Sequence, residues 1–258
     1  MDRLLKLMPS ALRRQTETLL TGSGEGARSG RGALTAFAIR IVSALLAFVS
    51  QILLARWMGA FEFGVFSYSW VWVLVLGSLV SIGFATSVIR FLPEYREQGR
   101  WDLFQGFLRA GRVIVILLGA VIAALTVLFI EDWNGVLEPV YVIPLSIALL
   151  SLPAYGLTDF QDGVGRAQGW IDLALIPPYI VRPLLLFAFI GIFYWAARPP
   201  DAATAALALV FACWVAAIVQ YFALRRRLKL AAPRVPSSLA LKLWIRTSLP
   251  LFMIDGFT

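Results

Sequence analysis

Long apolar stretches separated by short polar segments recur along the chain from residue 33 onwards. A helix needs about 20 consecutive apolar residues to cross the hydrocarbon core of a bilayer. The pattern predicts six transmembrane helices, in chain order Ala33–Trp57, Gly64–Ile89, Val113–Ile130, Pro139–Thr158, Ile171–Trp195 and Ala203–Leu224. A seventh apolar stretch opens at Ser248 and is too short to cross before Thr258. We therefore predict an all-α polytopic membrane protein: one six-helix lobe and the start of a seventh transmembrane helix, as in the N-terminal half of a longer protein.

Two basic segments flank the predicted lobe. In residues 1–32, leucines recur at helical spacing between basic residues, which predicts an amphipathic helix on the lipid surface and a flexible Gly22–Gly32 linker. A disordered basic tail is the alternative. In residues 225–247, leucines and a tryptophan alternate with basic residues, which predicts a surface-lying helix between two membrane lobes or, alternatively, a solvated basic loop. The predicted domains are 1–32, 33–224, 225–247 and 248–258.

The composition supports a membrane location and excludes several kinds of chemistry. Hydrophobic residues make up 60% of the chain and charged residues 15%, and the mean hydropathy is +0.80. A soluble domain would carry about a quarter charged residues. The sequence contains no histidine, so histidine-based catalysis and histidine metal ligands are excluded. The single Cys213 cannot form a disulfide within the chain, and we predict no catalytic residue, metal site or cofactor.

The basic residues predict the orientation of the chain. The net charge is +8 and the pI about 10.1, but no basic–aromatic RNA-binding signature or zinc spacing accompanies this charge, so no nucleic-acid partner is expected. If the N-terminus is cytoplasmic, all but four of the 23 lysines and arginines fall in inner segments. Arg56 and Arg198 lie outside, and Arg40 and Arg182 lie within spans. This asymmetry follows the positive-inside rule.

Arg182 is the most unusual residue in the apolar stretches. It lies near the middle of the fifth span, and Pro177, Pro178 and Pro183 surround it. An arginine at the centre of a membrane helix costs about 2.5–3.5 kcal/mol on insertion scales, so it requires a partner or a wet cavity. Prolines remove backbone donors and favour a break or kink in the helix. A cation beside broken backbone at mid-membrane is typical of transporter binding sites.

Three of the spans carry small or polar residues at helical spacing, which predicts a shared hydrated lumen. The stripes are Arg40, Ser43, Ala47, Ser50 and Gln51 in the first span, Gly77, Ser81, Ser87 and Arg90 in the second, and Tyr179 and Arg182 in the fifth. The predicted substrate-binding residues are Arg182, Arg40, Tyr179, Gln51 and Arg90. As alternatives, Arg40 snorkels to the headgroups, Arg90 anchors the cytoplasmic end of its helix, and the small residues of the second span allow close packing.

Carboxylates are absent from the middle of the six predicted spans. Asp159, Asp162 and Asp172 are expected near the cytoplasmic boundary. Arginines without a counter-ion around a lumen favour an anionic ligand, and the guanidinium fork suits phosphate oxygens. Export of cations coupled to protons or sodium would instead require buried acids.

Two motifs resemble a known family. Residues Ala55–Gly64, ARWMGAFEFG, resemble the LAR-x-LG-x-x-x-FG turn of the polysaccharide-biosynthesis (Wzx-like) flippases of the multidrug/oligosaccharidyl-lipid/polysaccharide exporter superfamily. Residues Val88–Glu94, VIRFLPE, resemble the end of the second helix in that family. The likeness covers most of residues 33–258, with its sharp motifs in 55–94.

The resemblance implies a fold of two six-helix lobes that form a V around a central cavity, with this chain as the N-terminal lobe. Similar proteins move undecaprenyl-pyrophosphate-linked oligosaccharides to the outer leaflet of the bacterial inner membrane by alternating access, as in lipopolysaccharide O-antigen synthesis. A cationic lumen in such proteins matches Arg40 and Arg182. The implied partners are the lipid-linked substrate, membrane lipids, and the polysaccharide polymerase and chain-length machinery. The family turn at 56–64 is expected to be structural.

Three other functions remain open from the sequence. A drug or small-molecule exporter of the same superfamily would require an acid in the lumen. A membrane-embedded glycosyl- or acyltransferase would require a catalytic set, for which Asp159 and Asp162 are the one close carboxylate pair at a boundary. A non-catalytic membrane scaffold would require neither.

Overall fold

The described part of the chain is all-helical. The computed structural model describes residues 25–80, 83–132, 137–231, 233 and 235–255. Residues 1–24, which contain the leucine-rich part of the amphipathic segment predicted over residues 1–32, lie outside the described residues. The helices are α1 Glu25–Met58, α2 Ala60–Val80, α3 Phe84–Glu97, α4 Trp101–Asp132, α5 Pro139–Leu149, α6 Leu152–Ala167, α7 Ile171–Ile176, the π-helical turn Pro177–Val181, α8 Arg182–Trp195, α9 Ala202–Ala231 and α10 Leu241–Asp255. Within the described residues, five stretches are long and apolar enough to cross a membrane, or six if the bent α5–α6 pair is one span. The predicted fold class of a multi-pass helical membrane protein is confirmed.

Several helices begin or end outside the predicted boundaries. α1 is helical from Glu25, so the linker predicted over Gly22–Gly32 is wrong within its described part. α4 begins at Trp101, before the predicted start at Val113. Apolar length predicts only the part of a helix that lies in hydrocarbon, and a helix can continue into the interface with polar residues.

The second and fourth spans are each divided. Gly83 has φ 67°, a left-handed conformation that glycine adopts without strain, and α3 starts directly after it. α5 and α6 meet at an angle of 44°, and Pro153 lies in the first turn of α6. The fourth helical stretch therefore continues to Ala167 instead of ending at the predicted Thr158, because α6 is a second helix after a bend.

The basic segment does not form a separate surface helix over residues 225–247, as one reading of the sequence predicted. Its first part continues α9 to Ala231, and its last part belongs to α10. Between them, the Ser238 amide donates a hydrogen bond to the Asp102 carbonyl at 3.1 Å. Trp244 is fully buried, and its indole N–H donates to the Tyr95 hydroxyl at 2.9 Å. One buried tryptophan thus fixes the start of α10 against α3.

α6 is the central helix of the lobe. Most of its residues are buried, and its neighbours include α2, α3, α4, α7 and α9. A Cβ atom on Gly156 or Gly163 would overlap Val80 or the Ala85 carbonyl, and one on Gly119 of α4 would overlap Pro153. Small residues allow helix backbones to approach closely in membrane proteins. These glycines explain why α6 packs so tightly.

α1 lies against the lobe more loosely. It contacts α2, α7, the π-helical turn and α8, and Ile39 is buried against Ala174 and Leu175 of α7. Large apolar side chains such as Phe37 and Phe48 are each 63% exposed. α1 and α8 therefore leave space between them near the middle of α1.

Candidate functional site

The π-helical turn is stabilised by a side chain from α9. Pro177 has no N–H to donate to the Leu173 carbonyl one turn earlier. The Gln220 side-chain amide donates to that carbonyl at 2.9 Å, and Gln220 is fully buried. The Arg182 N–H then donates to the Pro177 carbonyl, five residues back. The fifth span is therefore not broken at the prolines but continues through them as a π-helical turn that ends at Arg182, a feature often found at functional sites.

Two aromatic rings hold the Arg182 guanidinium. Its central carbon lies 5.2 Å from the ring centroid of Trp70 on α2 and 5.6 Å from that of Tyr155 on α6. The two rings contact each other edge-on at 6.3 Å. Among the residues that the structure describes, Arg182 forms no ion pair. Cation–π contacts stabilise a desolvated cation without neutralising its charge, so Arg182 remains available for an anion.

Arg182 separates two cavities of different polarity. The polar pocket, about 80 Å³, is lined by Tyr155, Thr158, Asp159, Asp162, Pro178, Tyr179 and Arg182. The apolar cleft is larger, about 410 Å³, and lies between α1, α2 and α8. Its wall includes Ala47, Ser50, Gln51, Phe63, Phe66, Ser67, Trp70 and Arg182. Arg182 is the single charged residue of the cleft wall among the residues described.

Two carboxylates lie in the same pocket as Arg182. Asp159 and Asp162, which were expected near the cytoplasmic boundary, both line the polar pocket together with Arg182. Both lie on α6, the helix that follows the bend and packs beside the fifth span. Asp162 is paired with Arg166, whose Nη2 lies 2.5 Å from Oδ2 and whose Nε donates to Oδ1 at 3.1 Å. Arg182 therefore has carboxylates on one side and the apolar cleft on the other.

The structure brings some of the predicted site residues together. Gln51 lines the apolar cleft and Tyr179 the polar pocket, so both share a cavity with Arg182. Arg40 is exposed on α1 and lies within electrostatic range of the Asp162 carboxylate. Arg90 lines neither cavity, and its guanidinium lies 6.0 Å from the ring of its neighbour Phe91 on α3. The binding role of each of these residues stays a prediction.

Two residues of the stripe predicted on the second span, Gly77 and Ser87, are buried between helices instead of lining a lumen. Arg90 of the same stripe is exposed, and Ser81 lies outside the described residues. A Cβ on Gly77 would lie 2.6 Å from the Tyr155 ring. The Ser87 and Ser248 hydroxyls are hydrogen-bonded to each other at 2.8 Å, and both residues are fully buried. Close packing, the alternative considered for these small residues, is what the structure shows.

Trp70 and Tyr155 are site residues that the sequence did not reveal. The chain has nine tryptophans, seven tyrosines and 18 phenylalanines, so aromatic side chains in apolar spans carry no signal of their own. The contact with Arg182 depends on how α2, α6 and α8 pack. Within the described ranges, no group of three or more His, Cys, Asp or Glu residues could hold a metal ion.

Comparison with known proteins adds one finding to this geometry. No curated protein and no solved structure matches the chain. A family model described as "Polysaccharide biosynthesis protein" matches residues 29–253, which include every residue named in the walls of the two cavities. The chain, a multi-pass helical membrane protein with an arginine between a polar pocket and an apolar cleft, therefore belongs to the polysaccharide biosynthesis protein family.

Proposed function

We propose that the protein translocates a lipid-linked oligosaccharide, with undecaprenyl pyrophosphate as the carrier, from the cytoplasmic to the outer leaflet of the bacterial inner membrane. The observation that carries this proposal is the Arg182 guanidinium, which is held by Trp70 and Tyr155 and not ion-paired within the described residues. Membership of the polysaccharide biosynthesis family supports the choice of substrate. Translocation requires no covalent chemistry, so the protein acts as a transporter and not as an enzyme.

The diphosphate reaches Arg182 from the apolar cleft. The other cavity that Arg182 lines, the polar pocket, is only about 80 Å³ and already contains the Asp159 and Asp162 carboxylates, so it offers less room for an anion. On the cleft side, Gln51 and Ser67 line the wall and can donate hydrogen bonds to phosphate oxygens. An arginine fork binds two such oxygens at once.

The proposal includes an orientation in the membrane and a set of partners. The N-terminus is cytoplasmic because nearly all basic residues then lie on the inner side. This chain supplies the N-terminal lobe, and alternating access moves the headgroup across the membrane. The polysaccharide polymerase and chain-length machinery are the expected partners at the outer face.

The proposal is tested by replacing Arg182 with alanine and with lysine in the intact gene product and measuring surface polysaccharide. We expect Arg182→Ala to abolish export at normal expression, and Arg182→Lys to retain a part of it, because an ammonium keeps the charge but loses the bidentate geometry. Arg198→Ala, at an exposed position beyond α8, is the matched control. Normal export by a normally expressed Arg182→Ala variant would remove Arg182 from the mechanism.

Export of small amphipathic cations is the second candidate, because Asp159 and Asp162 line a cavity and the cleft wall is rich in aromatic residues. The pairing of Asp162 with Arg166 and the adjacent Arg182 charge argue against it. Susceptibility to cationic dyes distinguishes the two functions. If the protein is a flippase, its deletion alters surface polysaccharide without a specific loss of dye efflux.

A further inference from the structure

A second apolar cavity continues the cleft along the seam between α1 and α8. This cavity is about 290 Å³, and its wall includes Trp57 from α1 and Gly191 and Tyr194 from α8. Leu54 of α1 lines both cavities, so they are neighbours along this seam. We call the two neighbouring cavities together the α1–α8 groove.

The α1–α8 groove runs along one face of α8. Arg182, Leu186, Ile190 and Tyr194 recur every four residues, and each lines one of the two cavities. At a rise of 1.5 Å per residue, Arg182 and Tyr194 lie about 18 Å apart along the helix axis. The groove therefore extends over much of one bilayer leaflet, with Arg182 at one end.

The groove is charged at one end and apolar along the rest of its length, as an amphiphilic ligand is. Among the described residues that line it, Arg182 is the single charged one, and the rest of the wall is mainly aliphatic and aromatic. Such a wall is complementary to a hydrocarbon chain, and the guanidinium is complementary to an anionic head at the end of that chain. A free sugar phosphate would leave the apolar part of the groove unused.

We infer that the α1–α8 groove binds the isoprenoid chain of the lipid diphosphate while Arg182 binds the diphosphate. The inference rests on the proposed function and extends it, because it places the first isoprene units in the protein instead of in bulk lipid. A polyprenyl diphosphate has one chain for each diphosphate, which suits a groove between two helices. A diacyl phospholipid has two chains and is the competing occupant.

Gly191 allows the groove to be blocked without disturbing the fold. A Cβ at Gly191 meets no atom within 4 Å, so the side chain of Gly191→Phe can enter the groove. Gly64→Phe is the matched control, because Gly64 is also exposed, also has open space at its Cβ, and lines neither cavity. Both variants are reconstituted in phosphatidylcholine nanodiscs with wild type and Arg182→Ala. Binding of farnesyl diphosphate and of inorganic pyrophosphate is then measured.

We expect wild type and Gly64→Phe to bind farnesyl diphosphate more tightly than pyrophosphate. Gly191→Phe should lower the affinity for farnesyl diphosphate about tenfold, which corresponds to the lost burial of about two methylene groups, and leave the affinity for pyrophosphate unchanged. Arg182→Ala should lower the affinity for both ligands. If Gly191→Phe binds farnesyl diphosphate as wild type does, or if the chain adds no affinity in wild type, the groove does not hold the isoprenoid and phospholipid is its occupant. A different result would contradict the proposed function: Arg182→Ala would bind both farnesyl diphosphate and pyrophosphate as wild type does.

Discussion

α6 and α1 both contribute to the surroundings of Arg182, but they are built in opposite ways. α6 is buried on nearly all sides, with glycines where neighbouring backbones approach. α1 exposes large apolar side chains along most of its middle and leaves a groove beside α8. The lobe therefore has a closely packed side around α6, which we call the rigid side and which holds Tyr155 beside Arg182. Its other side, along α1, is the open side, through which a ligand reaches the Arg182 guanidinium.

The largest effect is expected where α6 approaches another backbone. In Gly163→Leu the new Cβ would overlap the Ala85 carbonyl, and backbone atoms cannot move aside as a flexible side chain can. Overpacking costs about 1–3 kcal/mol and occasionally more, so we expect this variant to lose most folded protein in a thermal melt followed by gel filtration. Gly64→Leu, with open space at its Cβ, should melt as wild type. Equal melting temperatures of the two variants would contradict the close packing of α6 against its neighbours.

A smaller effect is expected at Gly77, which packs against the Tyr155 ring beside Arg182. Gly77→Ala places a methyl group 2.6 Å from the Tyr155 ring, which can rotate but is held against Trp70 and Arg182. We expect a loss of about 1–2 kcal/mol in stability together with reduced export, because the displaced ring changes the position of the guanidinium. Stability and surface polysaccharide are measured on the same variant. Normal export despite lower stability would show that Tyr155 does not position Arg182.

Asp159 tests the electrostatics of the polar pocket. Asp159→Asn removes one negative charge from the pocket that contains Arg182. Its carboxylate repels an anion at Arg182, and interactions between partly exposed charges amount to about 0.2–1 kcal/mol, so we expect pyrophosphate affinity to rise up to about fivefold. The gain should shrink at high salt. Weaker pyrophosphate binding by Asp159→Asn would mean that this carboxylate orients the guanidinium instead of competing for it.

The smallest effect is expected on the open side. Phe48 of α1 is 63% exposed, so Phe48→Ala removes few contacts within the lobe. Substitutions away from packed features usually change stability by less than about 0.5 kcal/mol. The melting temperature in detergent should stay that of wild type. A clear drop would show that this face of α1 is covered by another part of the assembly.

The helical spans could be predicted from the sequence because the bilayer imposes one length and one polarity on each of them. The divisions at Gly83 and between α5 and α6 could not, since the apolar pattern continues through both. Asp159 and Asp162 lie on the helix that follows this bend and line the pocket of Arg182.

The site was predictable in part. Arg182 was identifiable because a charge in hydrocarbon is costly and three prolines surround it. Gln51 and Tyr179 could be placed beside it from helical spacing alone. Trp70 and Tyr155 could not, because their contact with the guanidinium is created by packing between helices that are distant in sequence. Arg90 has the same charge as Arg182 but lies on α3, beside Phe91.

Translocation by the purified intact protein tests the central claim most directly. A fluorescent undecaprenyl-pyrophosphate-linked oligosaccharide is incorporated in proteoliposomes, and its movement between leaflets is followed by quenching from outside. The account predicts translocation by wild type, a residual rate for Arg182→Lys and none for Arg182→Ala, with all three proteins equally folded. Translocation by Arg182→Ala at the wild-type rate would contradict it.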